Sequence, residues 1–439
     1  MIKIVNDESE TINEINDIII GIFEILKLGK PVEIDGEERI AIEERAEDYE
    51  DLLNILSNLL EQKTNIKNIL EKKKYSLSVS YIKNALKGLD LLKDKSKLYK
   101  TFLENLYNQF DGEISLFTFI MPLNIIFDFE YDEEDLENVL ELFGLKKLEI
   151  NNLGYLIEEE TTNETKEKDL EIRENKLSGA ELVDAYYKRN LINVNEVSGL
   201  LEDFHEVVYV MIEGRDLNYA YKKAISNVEA FLGYISFINH YLGYKEYFGY
   251  FEEFNFNKIT YDTLLFIQNN KIIAPPKDQA ENVKKRVERT NERINEDKFK
   301  VMVNVSEDYM LKLKESFKNI LNKSFSLYYS AISEKSLDYS FLKFWTISEQ
   351  LAKTRQKDDI VVLEIFKSFV NPYFARRIDF LVRKRNHLVH RGDRGISSND
   401  RDLAKILTDL ILIDAIRTMA TLNGKKDYDN YLLSRLDVK

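Results

Sequence analysis

The chain has no cysteine and only four histidines among its 439 residues. Disulfides and thiolate metal sites are therefore excluded, and so few histidines argue against a zinc site. Apolar stretches are short. None approaches the roughly 20 residues that a bilayer-crossing helix needs. The opening Met1-Ile2-Lys3-Ile4-Val5-Asn6-Asp7-Glu8 lacks the basic-then-apolar order of a secretion signal. Glycine is scarce, and there is neither a phosphate-gripping glycine loop nor a hydrolase elbow. No internal repeat, heptad array or low-complexity tract occurs. A net charge of −15 excludes broad, non-specific coating of nucleic acid but leaves room for a local basic cleft. These absences predict a soluble, cytoplasmic protein that works without a cofactor or metal and does not engage a membrane.

What is present divides into segments. Residues 1–157 are expected to form an α+β region. Ile12, Ile15, Ile18, Ile19, Ile22, Phe23 and Leu26 recur at helical spacing, with Thr11 as a cap. Pro31–Ile34 and Arg39–Ile42 alternate around Asp35-Gly36, which predicts a hairpin. Leu52 to Leu60 and Ile82 to Leu92 suggest further helices. Leu116–Leu123 is expected as a buried strand, and Glu133–Phe143 as a helix ended by Gly144. The acidic run Asp132-Glu133-Glu134-Asp135 is read as helix N-terminal charge, not as a cation site. Residues 158–175 turn polar and are read as a linker or a long exposed loop, with a charged amphipathic helix as the alternative.

Residues 176–276 form an aromatic-rich α+β region, with a helix from Ala220 to Tyr241 and a strand pair about Asn269-Asn270. The aromatics from Tyr244 to Phe256 are read as packing, because Glu252-Glu253 would repel phosphate. Residues 277–300 are a charged connector or exposed helix. Residues 301–439 show only helical patterning. Five helices are expected: one capped by Ser306, then 339–352, 361–369, one starting near Pro372, and 402–422.

Against this acidic background stands one basic stretch, Arg383-Lys384-Arg385-Asn386-His387-Leu388-Val389-His390-Arg391-Gly392-Asp393-Arg394. Arginine grips phosphate with two hydrogen bonds, and histidine moves a proton at neutral pH. Arg385, Asn386 and His390 around one phosphate would suffice to cleave RNA without metal. His390 would take the 2′-hydroxyl proton or protonate the leaving 5′-oxygen. Arg385 would stabilise the phosphorane-like transition state, and Asn386 would orient Arg385 or bond a phosphate oxygen. Lys384, Arg391 and Arg394 would draw in the backbone, and His387 is structural or contacts RNA. Five residues advance a helix ~7.5 Å and turn it roughly 140°, so Arg385 and His390 converge only if the helix loosens near Val389. One histidine does not easily serve as both acid and base. A site shared across a twofold axis supplies a second. His205 and His240, set among apolar and aromatic neighbours, are read as core or partly buried.

The spacing of Arg385, Asn386 and His390, with the flank Leu388-Val389-His390-Arg391-Gly392, resembles the motif of HEPN domains, most closely the Apea-like branch. Phe344-Trp345-Thr346-Ile347-Ser348-Glu349-Gln350-Leu351 resembles that family's apolar helix with an embedded glutamate. The resemblance covers the last third of the chain. It implies a mainly α protein whose C-terminal HEPN-like bundle follows the α+β regions. It further implies a metal-independent, homodimeric endoribonuclease serving phage defence or a toxin system. A protein or small-molecule activator would then act on the N-terminal regions. The alternative is a HEPN-like scaffold that binds RNA or nucleotide without turnover. A relative gated by cyclic oligoadenylates would need a nucleotide-binding sheet, for which the N-terminal half has too few alternating strands and glycines.

Overall fold

The computed structural model describes residues 2–5, 8–28, 30–34, 37–41, 46–87, 89, 98–123, 125–127, 129–148, 206–241, 265–268, 271–273, 292–354, 359–391, 395–437. The chain is mainly helical, with fourteen α-helices among these residues. It forms two compact units. Of the described residues, one takes in those within 1–117 and 212–222; the other takes in those within 118–148, 206–211 and 223–437. The linker at 158–175, the aromatics from Tyr244 to Phe256, and His205 lie outside the described residues.

In the first unit, α1 (Glu8–Leu28) is followed by the antiparallel pair β1 (Lys30–Ile34) and β2 (Glu37–Ala41). Ile34 pairs with Glu37, the register of the hairpin that the sequence predicts. Then come α2 (Ala46–Lys63), α3 (Ile66–Lys73), α4 (Val79–Lys87) and α5 (Leu98–Asn108). Helix α1 starts one turn before Thr11, which is buried inside it and does not cap it. Ile15, Ile19 and Ile22 of α1 pack with Leu53, Leu56 and Leu60 of α2 and with Phe102 and Leu106 of α5. The 3.6-residue period puts each set on one face, and burying those faces drives the association.

The second unit holds the helical bundle and most of a sheet. The strands are β3 (Ser115–Leu123), β4 (Ile125–Phe127), β5 (Lys146–Lys147), β6 (Glu206–Gly214), β7 (Leu265–Gln268), β8 (Lys271–Ile273) and β9 (Glu292–Ile294). Their order is β5-β6-β3-β7-β8, with β4 and β9 paired separately and in parallel. Strand β3 is buried from Phe117 to Leu123, as its apolar run predicts. Strand β6 is not anticipated, and β9 corrects the expectation of a connector over 292–294. Helix α6 (Glu133–Glu141) is capped by Asp132, whose carboxylate accepts from the Glu134 amide at 3.1 Å. Gly144 follows at φ +69°, the left-handed turn that ends such helices.

Helix α7 (Leu217–His240) is buried on nearly every side between Phe231 and Ile238. A Cβ on Gly233 would lie 1.8 Å from the carbonyl oxygen of Phe325, so only glycine allows this backbone contact. Phe325 belongs to α9 (Glu315–Ile332), which follows α8 (Glu296–Asp308). Ser306 lies inside α8 and does not start the next helix: its hydroxyl is buried and donates to the Met302 carbonyl at 2.9 Å. Asn295 caps α8 instead, accepting from the Lys298 amide. After α9 come α10 (Leu337–Ala352), α11 (Asp359–Ser368), α12 (Pro372–Arg391), α13 (Ser398–Met419) and α14 (Lys425–Asp437). Helix α14 adds to the five that the sequence suggests.

Helix α13 is the centre of this bundle, and its core is not purely apolar. Lys405 and Asp409, one turn apart and both without solvent exposure, form an ion pair at 2.6 Å. The ammonium also donates to the His240 carbonyl at 2.9 Å, and Asp409 accepts from the Tyr328 hydroxyl at 2.8 Å. Helices α7, α9 and α13 are thereby joined at one point. Asp409→Ala would leave an ammonium buried without its counter-charge and should cost on the order of 3–5 kcal/mol. The double change Lys405→Met, Asp409→Leu should cost much less, and urea unfolding of both variants measures the difference.

The imidazole of His240 lies beside this pair. Burial, then the ammoniums of Lys405 and Lys298, push its pKa from 6.5 down to about 4. The folded state thus binds fewer protons than the unfolded one between these values. The stability it contributes is present above pH 6.5 and is lost as pH falls towards 4. The loss should approach ~3 kcal/mol, and His240→Gln should remove that part of the dependence in urea midpoints measured from pH 7 to pH 4.5.

Candidate active site

Helix α12 carries the basic stretch. Pro372 occupies its first position, where a missing amide hydrogen is harmless, and Asn371 accepts from the Phe374 amide at 2.8 Å. Ile378 and Leu381 are fully buried and anchor the helix. Asp379 pairs with Lys367 of α11 at 2.8 Å. The helix continues through Val389 and His390 to Arg391, so the expected loosening near Val389 does not occur. Arg385 and His390 therefore leave a regular helix roughly 140° apart, and one protomer does not bring them together.

Arg385 is held in place. Its Nη1 donates to Asn386 Oδ1 at 3.2 Å, and its Nη2 lies 3.4 Å from Glu349 Oε1 on α10. The same carboxylate oxygen accepts from Trp345 Nε1 at 2.7 Å. Trp345 is buried, stacked on Phe341 and edge-on to Phe366. These groups border a pocket of about 400 Å³. Its apolar lining is Trp345, Ile360, Val362, Leu363, Phe366 and Val382; its polar lining is Glu349, Lys353, Arg385 and Asn386. Such a pocket can hold a planar apolar group with an anion at its cationic side.

His387 and His390 are exposed, and neither lines this pocket. Lys384 is engaged elsewhere. Its ammonium donates to the Gly395 carbonyl at 3.2 Å and to Asp400 at 2.5 Å. Asp400 belongs to the box with Ser397 that caps α13. Burial works to raise the Asp400 pKa, but Lys384 and Ser397 together hold it below the ordinary carboxylate range. Lys384 thus ties two helices together in the described structure. The side chain of Arg391, and Arg394 as a whole, lie outside the described residues. The embedded Glu349 could be noticed from sequence. Its partnership with Arg385 and the contributions of Lys353, Ile360 and Phe366 could not, because three helices have to meet first. The one local signal is the i, i+4 spacing of Trp345 and Glu349.

No protein-family model matches this chain, and neither a curated protein nor a solved structure matches it. Among the described residues no helix is long and apolar enough to cross a membrane.

Glu349 has two separable duties. Glu349→Gln keeps an acceptor for Trp345 but removes the charge facing Arg385, and this pair, about one-third exposed, should contribute less than ~1 kcal/mol. Glu349→Ala also strands the indole N–H and should cost about 1–2 kcal/mol. Fluorescence of the single tryptophan during urea unfolding reads both variants.

Proposed function

We propose that the protein is a metal-independent endoribonuclease of the HEPN type, acting as a homodimer through its C-terminal helices. The observation that carries this reading is Arg385. Its guanidinium is held between Asn386 and Glu349 at the edge of a pocket, on the helix that also presents His390. A guanidinium so placed would grip the scissile phosphate and stabilise its developing charge. His390 of one protomer would remove the 2′-hydroxyl proton, and its copy in the second protomer would protonate the departing 5′-oxygen. The twofold arrangement is required because the two groups diverge within one chain. The products would be a 2′,3′-cyclic phosphate and a 5′-hydroxyl. A role in phage defence or as a toxin, with the first unit and the sheet region sensing a trigger, accords with this reading.

One observation favours a second reading. The Arg385 guanidinium is already paired with Glu349, and the helix stays regular past His390. A HEPN-like scaffold that binds RNA or a nucleotide without cutting it would look the same.

The test is cleavage of single-stranded RNA by the purified full chain in EDTA. Wild type should yield cyclic or 3′-phosphate ends. His390→Ala should lower the rate about 10²–10⁴-fold, and Arg385→Ala about 10²–10³-fold, with urea midpoints unchanged. Cleavage that survives His390→Ala sinks the assignment. RNA bound but left intact by wild type supports the scaffold.

A further inference from the structure

Helix α12 has a second face that the candidate site does not use. Tyr373 is 76% exposed and Phe380 is 54% exposed, both unusual for large aromatic side chains. They stand seven residues apart, so their rings lie ~10.5 Å apart along the axis with a lag of only about 20°. Arg376, Arg377 and Arg383 are exposed as well and fall with them in an arc about 120° wide. His387 and Lys384 lie within that arc, the Lys384 ammonium covering one side of the Phe380 ring at 5.0 Å, and His390 falls about 20° beyond it. Arg385 leaves the helix outside it, towards the pocket.

The charge on this face stands out. Helix α12 carries six arginines and lysines (Arg376, Arg377, Arg383, Lys384, Arg385, Arg391) against one acid, Asp379, in a chain of net charge −15. Asp379, Lys384 and Arg385 are engaged with Lys367, Asp400 and Glu349. Arg376, Arg377 and Arg383 make no ion pair among the described residues. Such a face suits a polyanion, and its rings suit one with accessible flat groups. A duplex hides its base faces, whereas a single strand offers one at every nucleotide. A second copy of the same face would set arginine against arginine about a twofold axis.

We infer that this face of α12 is a docking track for single-stranded RNA. Phosphates pair with Arg376, Arg377 and Arg383, bases stack on Tyr373 and Phe380, and the strand is led towards His387 and His390. The choice of RNA over other polyanions rests on the ribonuclease reading, which this track supplies with a means of aligning substrate.

The experiment is fluorescence anisotropy of the full chain with a short labelled single strand carrying 2′-O-methyl riboses. Such a strand cannot be cut by 2′-hydroxyl attack, so binding is read apart from catalysis. The variant Tyr373→Ala, Phe380→Ala should weaken binding by about tenfold per ring and leave the salt dependence unchanged. The variant Arg376→Gln, Arg377→Gln, Arg383→Gln should lower the slope of log affinity against log salt by about 2. A duplex of the same sequence should bind more weakly than the single strand. The inference is overturned if wild type does not bind the strand, if both variants bind as wild type, or if the duplex binds equally well. It is also overturned if the aromatic variant turns a dimer into a monomer by light scattering, for then a second copy covers the face. Cleavage of ordinary RNA in EDTA by the same variants separates the two ideas. Normal binding losses without any wild-type cleavage would remove the nuclease and keep the track. Cleavage with unaltered binding would do the reverse.

Discussion

The buried pair of Lys405 and Asp409 constrains the second unit more than any apolar contact does. Apolar side chains tolerate sliding, because burial is nearly indifferent to direction. A buried ammonium does not: it must find its acceptors at fixed distances or lose several kcal/mol. Here the acceptors are Asp409, one turn along α13, and the His240 carbonyl at the end of α7. Asp409 in turn needs the Tyr328 hydroxyl from α9. The pair therefore fixes the relative height of three helices. From α13 the constraint passes to α10, where the Thr408 hydroxyl donates to the Phe344 carbonyl at 2.8 Å and contacts the Ser348 hydroxyl. Helix α10 then sets the positions of Trp345 and Glu349, and Glu349 sets Arg385.

How much of this was legible in sequence follows from how local each cause is. The hairpin about Asp35-Gly36 and the end of α6 before Gly144 depend on a few adjacent residues, and both were readable. So were α12 with its proline start and the strand β3. Ser306 misled because serine suits two places: a helix N-cap, or a helix interior where it donates to the carbonyl four residues back, as it does here. Strand β9 is Glu292-Arg293-Ile294, whose charges look like a connector; its parallel partner Ile125–Phe127 lies far away in sequence. The partnership of Arg385 with Glu349 is equally non-local. A basic motif at a helix end was visible, but the acid that meets it was one glutamate among many.

The geometry of Arg385 also bears on how a phosphate would enter. Its pairing with Glu349 looks at first like an obstacle. Both side chains are about one-third exposed, however, and an ion pair so placed is worth less than about 1 kcal/mol. A phosphate offers the guanidinium two charge-assisted hydrogen bonds and a larger charge, so the exchange would favour the incoming anion. Glu349 would keep its bond to Trp345 after the exchange and would not be left without a partner. The acid then holds the arginine extended towards the pocket until an anion arrives, at small cost.

His390 poses the harder constraint. A regular helix that carries it roughly 140° away from Arg385 denies one chain the acid–base geometry that RNA cleavage requires. Side-chain flexibility does not repair this, since the imidazole is too short to round the helix. Two remedies exist: unwinding the last turn of α12, or a second copy whose His390 faces the first copy's Arg385. The first would release Val389 and His390 from their helical backbone hydrogen bonds. The second breaks nothing already formed. Under the proposed ribonuclease reading, pairing would therefore supply the geometry with less disruption than bending, and activity would rise with the dimer population.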